Sequence, residues 1–299
     1  MIYLLFLPII FLTVIETVIR KRTKYSGAKT VALAAFWRWV CGIIVFIVAV
    51  AVLRAELFAG FELLHAGVLF IRALLFFMST AILINGLKYV NLAVADILQR
   101  FRILPLIALS WWLFDDVVGL WSIILAVFIF ALCIALSIIG NRGKEQRKTQ
   151  AKGLVLICIS VTIVIINTVV FRYLGDSGVN IFWMFTFLAT AHALIGLTVA
   201  IFNHIRKKEN IKTFYGEGLF NPWMIVFGIC MAVHFLLQIV LVTHMNIGII
   251  DAVLVSAGMC VVLVSRFMFK EKLKVLQYVL IGCVLVASVA LALVTYFGF

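Results

Sequence analysis

An acid, an amide and two arginines fall within the stretch DILQRFRILP, residues 96–105, between the apolar runs Tyr89–Ala95 and Leu106–Phe114. The combined segment has the roughly 20-residue length of a helix that crosses a bilayer. On insertion scales each central Arg or Asp costs ~2.5–3.5 kcal/mol, so residues of this kind face a bundle interior or a wet cavity. Asp96 precedes Arg100 by one turn, the spacing of an i,i+4 ion pair. Gln99, Arg100 and Arg102 are candidates for a substrate path. Arg38 and Arg72 lie inside two other apolar runs. Backbone carbonyls, Glu62 or snorkelling to the lipid interface would satisfy them structurally. The functional alternative is an anion: a buried guanidinium with no protein acid favours a carboxylate or phosphate that arrives as substrate.

The second half of the chain adds His192, and His234 with Gln238 one turn later. Imidazole titrates near neutral pH, so either histidine can exchange a coupling proton, with Asp96 as a carboxylate alternative. The plainer role is a polar residue hydrogen-bonded between helices. Glu16, four residues before Arg20 and beside the basic run RKRTK, reads as an interfacial ion pair. Among the tryptophans, Trp37 and Trp183 are the pair placed to wall a cavity, and the others read as interfacial anchors or packing. No carboxylate or cysteine accompanies the histidines at helical spacing, so neither a metal nor any cofactor is expected. The six cysteines fall in apolar runs and read as small hydrophobes. Walker, GxSxG, HExxH and strand-linked dinucleotide motifs are absent, which argues against an enzyme and against ATP-driven transport within this chain.

These residues must be positioned by helices in a membrane. Of 299 residues 66% are hydrophobic and 12% charged, with a mean hydropathy of +1.25, far from the composition of a domain whose surface holds water. Ten apolar segments can be marked, at 2–19, 30–53, 64–86, 91–113, 118–139, 153–174, 180–203, 222–243, 248–269 and 274–297. They are continuously apolar, without the period-two alternation of a barrel strand, so an all-α membrane protein of ten transmembrane helices is expected. The net charge of +13 sits in short connectors with no aromatic nucleic-acid module around it, which excludes nucleic acid as a partner. The connector His204–Pro222 reads as solvated.

The polar stretch GNRGKEQRKTQAKG divides the chain nearly in half, giving a first repeat at 1–140, a linker at 141–152 and a second repeat at 153–299. A shift of 155 residues lays NLAVAD (91–96) on NIGIID (246–251), and Phe114-Asp115-Asp116 on Phe269-Lys270-Glu271. At a different shift Phe36-Trp37-Arg38-Trp39 echoes Phe182-Trp183-Met184-Phe185. Five helices per unit is an odd number, so the two copies lie inverted in the membrane, a device of secondary transporters that bind substrate between repeats near the midplane. The arginines break the symmetry: Arg72, Arg100, Arg102 and Arg38 correspond to Phe227, Val255, Ala257 and Met184, and Gln99 to Leu254. A scaffold has no need of that asymmetry.

With Arg38 in FWRW, the run Leu87-Lys88-Tyr89-Val90, Pro105, and the acids Asp116 and Glu271 closing the fourth and ninth segments, the chain resembles the drug/metabolite transporter superfamily and its ten-helix EamA-type members. That family usually has Gly-Glu where this chain has Asp115-Asp116 and Lys270-Glu271, and a proline farther from the acidic end. The resemblance implies a multi-pass protein of the cell (inner) membrane with cytoplasmic termini. Charge implies the reverse, because 18 Lys and Arg lie in one set of connectors and only Arg54 and Arg172 in the other, which places both termini outside the cytoplasm.

The expected function is secondary active transport, as an exporter, of a small amino-acid-like or anionic metabolite by alternating access. The expected partners are that substrate, membrane lipids and protons, with a homodimer left open. The alternatives are a translocator of a lipid-linked phosphate or sugar phosphate, and a membrane scaffold or sensor whose buried charges only specify helix pairing.

Overall fold

The computed structural model describes residues 5–297 apart from 54–61, 91–94, 96–97, 116–118, 141–146, 207–208, 217, 243–246 and 270–274. Asp96, Asp116 and Glu271 therefore lie outside the described residues, as do the side chains of Arg100 and Asp251. The described chain is helical, without a strand: α1 Phe6–Arg22, α2 Gly27–Leu53, α3 Leu63–Leu87, α4 Ile103–Phe114, α5 Leu120–Gly140, α6 Arg147–Asp176, α7 Ile181–Ile205, the short α8 Ile211–Gly216, α9 Pro222–Val242, α10 Ile247–Phe269 and α11 Val275–Phe297. Five stretches are long and apolar enough to cross a membrane: Gly27–Val52, Leu63–Leu87, Ala151–Asp176, Ile181–Ile205 and Pro222–Leu241. This is the architecture of a helical membrane protein.

Among the described residues the buried apolar side chains form four clusters, of which two are extensive. The larger joins α1, α2, α3, α6, α7 and α9 around Ile9, Leu69, Phe171, Leu188 and Phe235. The smaller lies where α4, α5, α10 and α11 meet, around Ile107, Ile129, Cys133, Met259 and Val284. Lipid tails are as apolar as the helices, so close van der Waals fit has to hold such helices together. The contact of α2 with α7 is made by small residues, Ala32 against Gly196 and Gly42 against Ala189. Where α2 begins, a Cβ on Gly27 would stand 1.9 Å from the Ala81 carbonyl oxygen of α3. That close approach lets the Gly27 N–H donate to Asn85 Oδ1 at 2.9 Å.

The fourth apolar segment differs from the single regular helix expected of it. A 3₁₀ turn, Arg100–Arg102, precedes α4. Pro105 accounts for the break, since it lacks an N–H and its ring crowds the carbonyl four residues earlier, that of Phe101. α4 then stops at Asp115, which is left-handed at φ 51°.

Described basic residues beside the α1–α2 and α3–α4 connections meet groups of neighbouring segments. Lys21 Nζ donates to the Leu87 and Val90 carbonyls at 2.7 Å each, satisfying acceptors that the end of α3 leaves without an intrahelical donor. Lys88 Nζ donates to the Tyr25 carbonyl at 2.8 Å, and Trp37 Nε1 to the Leu219 carbonyl at 2.7 Å. Lys29 pairs with Glu209. The connector expected to be solvated is thus partly docked: it carries α8, and Phe214 is fully buried, because an aromatic ring this near the bundle gains more by burial than by exposure.

Replacing Gly27 by Ala should destabilise the protein by ~1–3 kcal/mol, the range for overpacking. Gly67→Ala, whose new methyl meets nothing within 4 Å, should be neutral or stabilising by up to ~1 kcal/mol through helix propensity. Thermal unfolding of both variants in detergent checks this, and equal melting temperatures would remove the claimed α2–α3 contact.

Candidate functional site

Polar side chains occur on one face of each of several helices, and those faces converge. On α1 the residues Thr13, Glu16, Thr17 and Arg20 recur at i, i+3, i+4 and i+7, one helical stripe. On α3 the stripe is Arg72, Phe76, Ser79, Thr80 and Leu83, and α6 repeats the same spacing with Ser160, Val164, Asn167, Thr168 and Phe171. His234 and Gln238 come from α9, Gln99 and Arg102 from the approach to α4, and Ile250 and Leu254 from α10. Together they enclose a cavity of about 140 Å³.

Glu16 is the carboxylate of this lining and is 3% exposed. Its Oε2 accepts from Arg20 Nη2 at 2.7 Å, and its Oε1 is 2.9 Å from His234 Nδ1. The interfacial ion pair expected for Glu16 is therefore buried and three-membered. The link to His234 crosses 218 residues of sequence, so spacing alone could not reveal it. The polar stripe on α1 is the signal that was available.

Arg72 is 2% exposed and lies flat against aromatic rings, its guanidinium carbon 3.9 Å from the Phe171 centroid and 4.4 Å from that of Phe235. Arg38, 1% exposed, approaches the same Phe235 at 4.2 Å and Phe76 at 5.4 Å. No carboxylate lies within ion-pair distance of either among the described residues. Arg38 Nε and Nη2, and Arg72 Nε and Nη1, are buried without a hydrogen-bond partner among those residues. Glu62 serves neither arginine: it caps α3 in a reciprocal pair with His65. Cation–π contact supplies ~2 kcal/mol or somewhat more when desolvated, while removing an ion from water costs several kcal/mol even after relaxation. Among the described residues the rings alone leave both guanidiniums undercompensated.

The cavity brings together Arg72, Gln99, Arg102, His234 and Gln238. Arg38 sits behind it, separated by Phe76 and Phe235. His192 also sits behind Phe76, ring centroids 5.1 Å apart, with Nδ1 2.6 Å from the Leu188 carbonyl oxygen and Nε2 buried without a partner among the described residues. Trp37 and Trp183 are not cavity walls: the first is bonded to Leu219 and edges Phe220, the second stacks on Phe187 at 5.0 Å. Their rings are large enough to be held by packing outside the bundle centre. Asp96 and the Arg100 side chain lie outside the described residues.

The Glu16–His234 contact is testable as an energy. In a double-mutant cycle, Glu16→Gln and His234→Ala should couple by ~0.5–3 kcal/mol in thermal stability, the range for residues sharing one network. Strictly additive effects would mean that the contact carries no energy of its own.

No protein-family model matches the chain, and no curated protein is similar to it. Among solved structures, one titled only "Crystal structure of protein" is 14% identical and aligns over 97% of this chain and 95% of its own, with a TM-score of 0.69. At that identity the likeness is one of fold: the whole helical arrangement, and not a fragment of it, is shared with a known structure.

Proposed function

We propose that the chain is a secondary active transporter of a small anionic or amino-acid-like metabolite, working by alternating access between two inverted five-helix repeats of the drug/metabolite transporter kind. The observation that carries this reading is the pair of buried guanidiniums without an ion pair among the described residues, Arg72 lining a polar cavity and Arg38 close behind it. A site built this way attracts a carboxylate. Glu16, on the far partner of the same cavity, offers a counterpart for an ammonium group. A cavity near 150 Å³ holds a molecule about the size of benzene, which favours a substrate of a few carbons over a lipid-linked sugar phosphate.

The helix packing supports the repeat. Exchanging α1 with α6, α2 with α7, α3 with α9, α4 with α10 and α5 with α11 maps the contacts onto one another. α2 packs on α7, α4 on α10 and α5 on α11, each against its own counterpart, while α3 with α6 is matched by α9 with α1, and α2 with α9 by α7 with α3. Such pairing leaves two bundles able to rock about a shared centre. The ten spans, the export direction and the membrane of residence belong to the same reading.

Arg72→Gln should raise the dissociation constant of the substrate by at least ~10-fold, since losing a charge-assisted hydrogen bond costs ~1.5–3 kcal/mol. Small carboxylates can be screened by thermal shift, because a ligand at 100 times its dissociation constant adds ~2.7 kcal/mol. Unchanged affinity in Arg72→Gln would exclude Arg72 from the site.

Proton coupling falls to Glu16 and His234, which share the cavity lining with the guanidiniums of Arg72 and Arg102 and the amides of Asn167 and Gln238, Arg20 being bonded directly to Glu16 and Arg38 lying close behind the cavity. Flux in proteoliposomes should lose its dependence on an imposed proton gradient in Glu16→Gln or His234→Ala. His192→Ala should keep the wild-type dependence, because that ring does not line the cavity. Wild-type dependence in both Glu16→Gln and His234→Ala would rule out coupling through this pair.

A further inference from the structure

A second cavity, of about 490 Å³, opens between the end of α1 and the start of α9. The basic residues beside the α1–α2 and α3–α4 connections are not equivalent. Lys21 and Lys88 are bonded to carbonyls of neighbouring segments, and Lys29 is paired with Glu209. Arg22 and Lys24, which line the cavity, form no ion pair among the described residues. The Arg22 guanidinium lies over the indole of Trp223, 5.8 Å from the ring centroid, and that indole is half exposed at 51%. Tryptophan in such a position marks the level of lipid headgroups. The floor is apolar, formed by Ile19 and Met224, which are 1% and 2% exposed. Two uncommitted cations therefore stand above an apolar floor, beside an interfacial ring. A soluble anion would need the cations alone; the floor and the indole suit a molecule with an apolar part below its charge.

We propose that this cavity holds the phosphate headgroup of an anionic phospholipid, with Arg22 and Lys24 on the phosphate oxygens and the upper acyl carbons against Ile19 and Met224. Arginine recognises phosphate by paired N–H donors, and basic pockets between membrane helices are known recognition sites for acidic headgroups. The inference rests on the apolar helices crossing a membrane and is independent of transport.

The test is a lipid titration of the full purified chain in micelles of a phosphate-free, uncharged maltoside detergent, reading the melting temperature as phosphatidylglycerol is added. A saturable rise is expected. The double variant Arg22→Gln with Lys24→Gln should move half-saturation upward by ~10-fold or more while melting as wild type in the detergent alone. Lys24→Gln by itself, on an exposed connector, keeps the test usable if the double variant folds poorly, and should shift half-saturation in the same direction. Lys152→Gln, exposed and outside the cavity, should titrate as wild type. An equal loss in Lys152→Gln would overturn the site in favour of diffuse attraction to a charged surface. Inorganic phosphate giving the same stabilisation in neutral micelles would overturn the lipid assignment in favour of a soluble anion. A linear, unsaturable response, or variants that titrate as wild type, would also overturn it.

Discussion

Two guanidiniums held in an apolar bundle, with no carboxylate at ion-pair distance among the described residues, constrain everything around them. In hydrocarbon a charge cannot be left bare, and Arg38 and Arg72 are covered as far as side chains can cover them, by Phe76, Phe171 and Phe235. Those rings come from α3, α6 and α9, so these helices must converge around the arginines of α2 and α3. The glycines and alanines that bring α2 against α7 and α3 permit that convergence, since bulky side chains at those contacts would hold the backbones apart.

Glu16 solves a different part of the same problem. It is one carboxylate with two partners, Arg20 on its own helix and His234 on α9. Burial of a carboxylate is tolerable when both oxygens are engaged, and here each oxygen has a partner on a different element. The acid is therefore tied to the α1–α9 interface and not to α1 alone, and any change at the histidine is felt by the acid directly.

Most of the fold was legible because membrane helices advertise themselves: runs such as Gly27–Val52 and Ile181–Ile205 need only hydropathy and length to be recognised. Arg72, Gln99, Arg102, His234 and Gln238 were legible for the converse reason, since polar residues are rare in such runs and seldom idle. The Glu16–Arg20 pair was legible from its i,i+4 spacing, but the contact with His234 was not, because a local explanation conceals a distant partner. The irregular start of α4 was misread because hydropathy averages over Pro105, whose effect is on backbone geometry and not on polarity. Trp37 and Trp183 match under the internal repeat, but the repeat conveys position in a helix and not which neighbour a ring meets. That Arg38 and Arg72 share Phe235 was unreadable for the same reason: the ring lies on a helix whose rotation only packing sets.

The sharing of Phe235 has a mechanical consequence. The ring belongs to α9, whereas the arginines belong to α2 and α3, so sliding or rotating α9 relative to those two helices strips one charge or the other of its covering. In an empty protein nothing takes the ring's place, and the movement carries the penalty of leaving Arg38 against Phe76 alone or Arg72 against Phe171 alone. A bound carboxylate would remove that penalty by supplying a partner as the ring leaves. On the proposed reading, the aromatic cover is thus an interlock: the empty carrier is held still, and occupancy releases it, which is the property a carrier needs if it is not to dissipate its driving gradient in futile cycles.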